Sequence, residues 1–358
     1  MFNWQNQATL ASDSRSLGEC RLKALGASEI HSRQELTDFV SAVQTHTDRP
    51  ILDMTILGGS PVKAVRVHFS DETIIAVRRN SDFGGSKEYE LLTALADSDG
   101  LVPKIFARHG DIVLQSDAGD TRLSKAILTA GPKRREALTH RTFESLWNLK
   151  VAVNRCEFAK TVRPVGTRPA WLKMFVQRPD VVSKQLGLRP PKLAVEPLIA
   201  SLSAKPRTFV HWDARLGNAM LNEDDQIVWF DWERYGNRAG VEDFAYIFAD
   251  EFFPLPAAKA LQIFDKTCPP EAQRFRGLLI RFTALRAVRR LSVIRNQWNK
   301  RGPEEMGMLI EHDRHGYSPE SMSNLCRNAA QYASMDPLTE PLVDWFGEVC
   351  DPNNWIRK

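Results

Sequence analysis

The chain has 358 residues, 43% of them hydrophobic and 26% charged, with 48 basic against 44 acidic side chains. This is the composition of a folded protein with room for two lobes or domains, and it argues against wholesale disorder. A net charge of +4 gives no reason to expect a nucleic-acid partner.

The amino-terminal stretch lacks the apolar core of a leader peptide, and no apolar run is long enough to span a bilayer, so membrane insertion is not expected. Five scattered cysteines without a C-x-x-C pair fit a reducing, cytoplasmic compartment rather than a disulfide framework or a zinc site. Residues 1–31 carry little pattern and read as an extension. At Ser32-Arg33-Gln34-Glu35 a capping box opens a helix that places Leu36, Phe39, Val40 and Val43 at helical spacing. Extended segments follow at 51–57, 62–69 and 73–78, joined by Gly58-Gly59-Ser60-Pro61 and by the turn at 70–72. Residues 87–96 read as a helix, and 102–107 and 111–115 as two more strands. From about residue 123 the period is mainly helical. The 161–192 stretch, rich in proline and basic residues, reads as an irregular surface loop. An antiparallel sheet with a helix, followed by a mostly helical half, predicts an α+β fold of two lobes, divided as an extension (1–31), a first lobe (32–117) and a helical second lobe (118–358).

The most informative stretch is HWDARLGNAMLNEDDQIVWFDWE, His211 to Glu233. Asp213 is followed five residues later by Asn218, and Asp231 closes the apolar run Ile227-Val228-Trp229-Phe230. Read as strand, loop, short strand, turn and strand, this segment brings Asn218 and Asp231 to the same end of neighbouring strands, with Asp213 on the loop beside them. An amide oxygen and a carboxylate are hard ligands suited to magnesium. A nearby carboxylate off the metal can orient a hydroxyl and take its proton. Phosphoryl transfer requires such parts.

The loop His211 to Asn218 resembles the catalytic loop of the aminoglycoside phosphotransferase and choline kinase family, small-molecule kinases with a protein-kinase-like fold. Ile227 to Glu233 resembles that family's metal-binding strand, and Gly240-Val241-Glu242-Asp243-Phe244-Ala245 the segment after it. Earlier in the chain, Leu57-Gly58-Gly59-Ser60 is similar to the nucleotide loop, and Lys87 to Leu92 to the start of the helix whose glutamate pairs with the phosphate-binding cation. Residues 102–105 and 113–117 are similar to the strand and the hinge that receives adenine. The likeness spans about residues 32–250 in the family's order.

The resemblance implies a two-lobed kinase-like fold with ATP in the cleft, magnesium, and transfer of the γ-phosphate to a hydroxyl of a small molecule. Asp213 would orient or deprotonate that hydroxyl. Asn218 and Asp231 would hold the metal, and Gly58, Gly59 and Ser60 would cover the phosphates with backbone N–H groups. Arg78, Glu88 and Gln115 would complete the nucleotide site, and His211 would brace the loop. Where the family often has lysine on the third strand, this chain has Ala76-Val77-Arg78, with Arg79 as the alternative cation; arginine keeps the charge but changes reach and geometry. A protein side chain is the alternative acceptor, disfavoured by D-W-E in place of D-F-G, and a nucleotide-sensing pseudokinase is the alternative without turnover. In the helical half, Arg281, Arg286, Arg289, Arg290 and Arg295 read as a solvated face. Trp298, Trp345 and Trp355 read as core or anchoring residues rather than a cage for a cationic ligand, and residues 311–315 as a surface turn. Asp250 and Glu251 face either substrate or solvent.

Overall fold

In the computed structural model, the residues described are 27–57, 63–79, 85–98, 100–203, 205, 208–311 and 318–351. The chain packs as two compact units, one of residues up to 81 with 105–117, the other of 82–104 with 118–358. Residues 82–104, assigned to the first lobe from sequence, therefore pack with the second unit.

The first unit begins with α1 (Ala27–His46). The helix starts before the expected cap at Ser32, since nothing in Ala27 to Ile30 interrupts it. Five strands follow, namely β1 (Asp53–Ile56), β2 (Ala64–His68), β3 (Thr73–Arg78), β4 (Ile105–His109) and β5 (Ile112–Ser116). They form one antiparallel sheet in the order β1-β2-β3-β5-β4. Phe39 and Val43 of α1 are fully buried against Val65, Val67, Ile74, Ala76, Ile112 and Leu114. Strand alternation sends the side chains between these to the opposite face.

The second unit contains α2 (Gly85–Ala94), β6 (Thr121–Arg122), α3 (Leu123–Thr129), α4 (Pro132–Arg155), α5 (Pro169–Val176), α6 (Arg178–Leu186) and α7 (Val195–Leu202). Residues 161–192 thus hold two helices where a loop was expected. Pro169 and Pro179 sit in the first turns of α5 and α6, where a missing N–H costs nothing and a fixed φ favours the helix. Then come β7 (Thr208–Val210), β8 (Ala219–Leu221), β9 (Ile227–Trp229), β10 (Gly236–Arg238) and α8 (Glu242–Phe248). The remaining helices are α9 (Ala257–Thr267), the one-turn α10 (Pro270–Gln273), α11 (Arg276–Glu311), α12 (Pro319–Ala333) and α13 (Leu342–Val349). The strands make two small sheets, β6-β8-β9 and β10-β7.

Every residue of α8 is buried, and so are Phe143, Leu146 and Leu149 of α4 and Phe282, Leu285 and Val288 of α11. Gly240 before α8 has φ +98°, and a Cβ there would meet Thr208 Cγ2 at 2.4 Å, so the turn into α8 requires glycine. Trp345 is core, its ring N–H donating to Ser183 Oγ at 2.7 Å. Trp355 and His312 to His315 lie outside the described residues. Cys326 of α12 and Cys350 after α13 are joined as a disulfide, a pairing that sequence spacing did not suggest. Among the described residues no helix is long and apolar enough to cross a membrane.

Candidate active site

The antiparallel register of β8 and β9 pairs Ala219 with Trp229 and Leu221 with Ile227. One step further along the hairpin, the Phe230 N–H donates to the Asn218 carbonyl at 3.1 Å. Asn218 and Asp231 therefore sit at the same strand end. Trp212, Asp225 and Asp231 have φ of 64°, 65° and 67°, the left-handed region that a bulky side chain such as Trp212 avoids and aspartate tolerates better, so the strain next to Asp213 lies at Trp212.

The Asn218 side-chain N–H donates to the Asp213 carbonyl at 2.9 Å and to Asp213 Oδ2 at 3.2 Å. Its amide oxygen is thereby turned away from Asp213. Asp213 Oδ1 faces cations, with Arg215 Nε at 3.4 Å and Arg286 at 3.8 Å. Burial alone would raise the Asp213 pKa; Arg215, Arg286, His211 and Arg290 outweigh it and hold the carboxyl below its usual range. Asp213 is therefore an anion at neutral pH. It shares with Asp231 and Tyr246 a cavity of about 210 Å³ whose wall also includes Arg215, Arg286, Arg289 and Arg290. A cavity of about 740 Å³ on the same unit, lined by α2, α4 and the 225–227 turn, contains none of these groups.

Several residues missed from sequence hold this loop in place. The Asp243 carboxylate accepts the backbone N–H groups of His211 at 2.9 Å and Trp212 at 3.0 Å, and it is ion-paired with the buried Lys150. Lys150 also donates to the Phe209 carbonyl at 3.2 Å. His211 braces the loop as expected, fully buried, with Nε2 3.1 Å from the Phe230 carbonyl and its ring 4.1 Å from that of Trp232. Arg122 donates to the Gly217 carbonyl. Asp250 accepts the Leu216 N–H at 3.1 Å and the Phe252 N–H at 2.9 Å, and Glu251 takes a two-pronged contact from Arg290. Both acids are 2% exposed, so neither is solvated. A sequence signal existed for Asp243, inside the segment of family resemblance; for Lys150, far away on α4, there was none.

Burial and the neighbouring Glu251 push the Asp250 pKa up to about 6. A raised carboxyl favours the protonated folded state, so its contribution to stability is full below about pH 4 and is lost as pH rises through about 6. Between those limits the unfolding midpoint of the wild type should fall relative to that of Asp250→Asn. Parallel pH profiles in urea unfolding would contradict this.

Of the nucleotide residues expected from sequence, Gly58, Gly59 and Ser60 lie outside the described residues. Gln115 is buried and pairs across the sheet with Ile75, on the face away from α1. Arg78 lies on the α1 face: its guanidinium is 2.6 Å from Asp38, 3.4 Å from Asp111 and 5.1 Å from the Phe39 ring centroid. Alternation puts the buried Arg79 on the Gln115 face with Ile75 and Val77. In the second unit, Glu88 of α2 is 2% exposed, whereas its rival Glu90 is solvent-exposed.

The sequence model of the phosphotransferase enzyme family matches residues 77–278, more than half of the chain. The chain belongs to this family and is a phosphotransferase. Among solved structures, choline kinase LicA from Streptococcus pneumoniae is similar at 12% identity and a TM-score of 0.52, over 84% of this chain and 98% of that one. An aminoglycoside phosphotransferase assigned in Ralstonia eutropha is similar at 16% identity and a TM-score of 0.50, over 87% and 98%. Amicoumacin kinase hAmiN, solved with AMP-PNP and Ca2+, is similar at 12% identity and a TM-score of 0.50, over 87% and 97%. No match was found among curated proteins. At these identities the likeness establishes the fold, which is the α+β, two-lobed kinase-like fold expected from the sequence.

Proposed function

We propose that this phosphotransferase uses ATP and magnesium to phosphorylate a hydroxyl of a small molecule. The observation that carries the reading is the hairpin register that sets Asn218 and Asp231 at one strand end beside the anionic Asp213. The donor set fits magnesium: one carboxylate and one amide oxygen leave positions for phosphate oxygens and water, as that ion prefers. Among the described residues no cluster of three or more His, Cys, Asp or Glu offers a metal site instead. When bound, magnesium would neutralise charge on the phosphates. Asp213 orients the acceptor hydroxyl and receives its proton, while Arg215, 3.4 Å from its Oδ1, helps to keep it ionised. Asp243 and Asp250 keep the loop amides fixed, so that the reacting groups are positioned before substrate arrives.

The test is thermal unfolding with ATP, with and without magnesium, on wild type and Asp231→Asn. A ligand that binds only the folded state raises its stability by about 2.7 kcal/mol at a hundredfold excess over Kd. A magnesium-dependent rise in the wild type that is lost in the variant supports the reading. No rise in the wild type sinks it.

Arg79 is the better candidate than Arg78 for the phosphate-binding cation, because strand alternation puts it on the Gln115 face whereas Arg78 lies on the α1 face. Arg79→Ala should weaken ATP binding about tenfold or more, the scale of a lost charged hydrogen bond, and Arg78→Ala should leave it within about twofold. The reverse order in ATP titrations would return the role to Arg78.

A further inference from the structure

The wall of the Asp213 cavity carries five arginines against the three carboxylates of Asp213, Asp231 and Glu233, and its arginines come from three segments. Arg215 belongs to the catalytic loop, and Arg234 follows β9. Arg286, Arg289 and Arg290 come from α11, which the family match, ending at residue 278, does not reach. The expectation of a solvated arginine face is corrected here: Arg286, Arg290 and Arg295 are 6%, 3% and 8% exposed. The arginines are carried inward because α11 is buried nearly all round over this stretch, with Phe282 and Leu291 buried on opposite sides of the helix.

These arginines are unequally neutralised. Arg290 is matched by Glu251. Arg286 has only the 3.8 Å approach to Asp213 Oδ1, and its buried Nε has no hydrogen-bond partner. Among the described residues no carboxylate pairs with Arg289. Like charges also crowd the site: burial first, then Arg289, lowers the Arg178 pKa, and burial, Arg290 and Arg289 lower that of Arg286. A buried cation so incompletely paired as Arg286, with the half-buried Arg289 near it, is costly unless an anion joins the two.

We propose that the acceptor carries an anionic group, a carboxylate or a phosphate, which docks on Arg286 and Arg289 while its hydroxyl lies on Asp213. This assignment rests on the proposed function and names the acceptor class for the same site. Asp213 presents Oδ2 to Asn218 and Oδ1 to Arg286, so the Arg286 guanidinium and the Asn218 amide meet different oxygens of the carboxylate. A cationic acceptor would meet repulsion there. The cavity's aromatic side chain, Tyr246, is no seat for a quaternary ammonium either, because the Arg286 guanidinium already lies 4.1 Å from its ring centroid. At about 210 Å³ the space falls below the usual range for drug-sized ligands and suits a small hydroxy acid or hydroxyalkyl phosphate. In the reaction the acceptor O–H gives its proton to Asp213, the oxygen bonds to the γ-phosphorus, and the bond to the β-phosphate oxygen breaks. ADP and a phosphate monoester leave, and the proton passes from Asp213 to solvent.

The test is thermal unfolding with sodium acetate, inorganic phosphate or tetramethylammonium chloride at matched ionic strength, with and without saturating Mg–AMP-PNP, on wild type, Arg289→Ala and Arg286→Lys. One of the two anions should stabilise the nucleotide-loaded wild type, and Arg289→Ala should weaken that effect about 10- to 100-fold. The anion that acts identifies the headgroup, and tetramethylammonium should do nothing. Arg286→Lys, which keeps the buried charge, guards against a folding defect in either position and should weaken binding through its altered geometry. The proposal is overturned if neither anion acts, if both variants keep the full anion effect, or if tetramethylammonium alone stabilises. It is also overturned if Mg–AMP-PNP abolishes the anion effect, since the arginines would then serve the nucleotide. Absence of any Mg–AMP-PNP effect would instead count against the proposed function, and the anion series on the unloaded protein would still decide the assignment of Arg286 and Arg289.

Discussion

Asp213→Asn should lower kcat by about 10²- to 10⁴-fold, the usual contribution of a positioned proton acceptor, with little change in ATP binding. The substitution is nearly isosteric and its amide can still hydrogen-bond to a hydroxyl, so the acceptor can still bind. What it lacks is the negative charge and a site to receive the proton. Arg215 and Arg286, which hold the native carboxyl ionised, would then face a neutral group. The measurement is steady-state turnover beside an ATP titration monitored by thermal shift. Turnover within a few-fold of wild type would remove Asp213 from the chemistry. Loss of ATP binding together with turnover would show instead that the variant had collapsed the nucleotide site.

Asp243→Ala should cost about 3–5 kcal/mol of stability, because it strands the buried Lys150 ammonium without its counter-charge. It also releases the His211 and Trp212 amides, and Trp212 is the residue held at φ 64°. A double variant, Lys150→Met with Asp243→Leu, separates these effects. Replacing a buried ion pair by apolar side chains is often neutral or stabilising, so the midpoint of urea unfolding should recover in part in the double variant, short of wild type by the cost of the two unsatisfied loop amides. Turnover should not, since no acceptor remains for the loop amides. If turnover returned with stability, Asp243 would be a packing residue with no part in positioning the catalytic loop.

The expected chemistry was legible in one stretch of sequence because its parts are local. Asp213, Asn218 and Asp231 are linked by a short hairpin, and the apolar run from Ile227 to Phe230 fixes that hairpin's register. The five-strand sheet and the α1 face that packs on it were legible for the same reason: alternation and helical spacing are properties of neighbouring residues. The helices within 161–192 are not legible because proline breaks a helix interior yet favours a first turn, and only the fold shows that Pro169 and Pro179 occupy first turns of α5 and α6. Arg78 and Arg79 could not be separated either. Adjacent strand residues point to opposite faces, and composition does not say which face packs on α1.

By itself, then, the sequence determined the strands and helices of the first unit, the kinase-like hairpin and the three polar residues on it. The tertiary structure alone decided which charges are neutralised. Lys150 reaches Asp243 from α4, Glu251 claims Arg290, and Arg286 turns to Asp213 with no full partner. The physical reason is range: hydrogen-bond patterns along a strand or helix are set by near neighbours. The pairing of buried charges is set by helices brought together from more than 90 residues apart in the case of Lys150 and Asp243, and no local pattern records it.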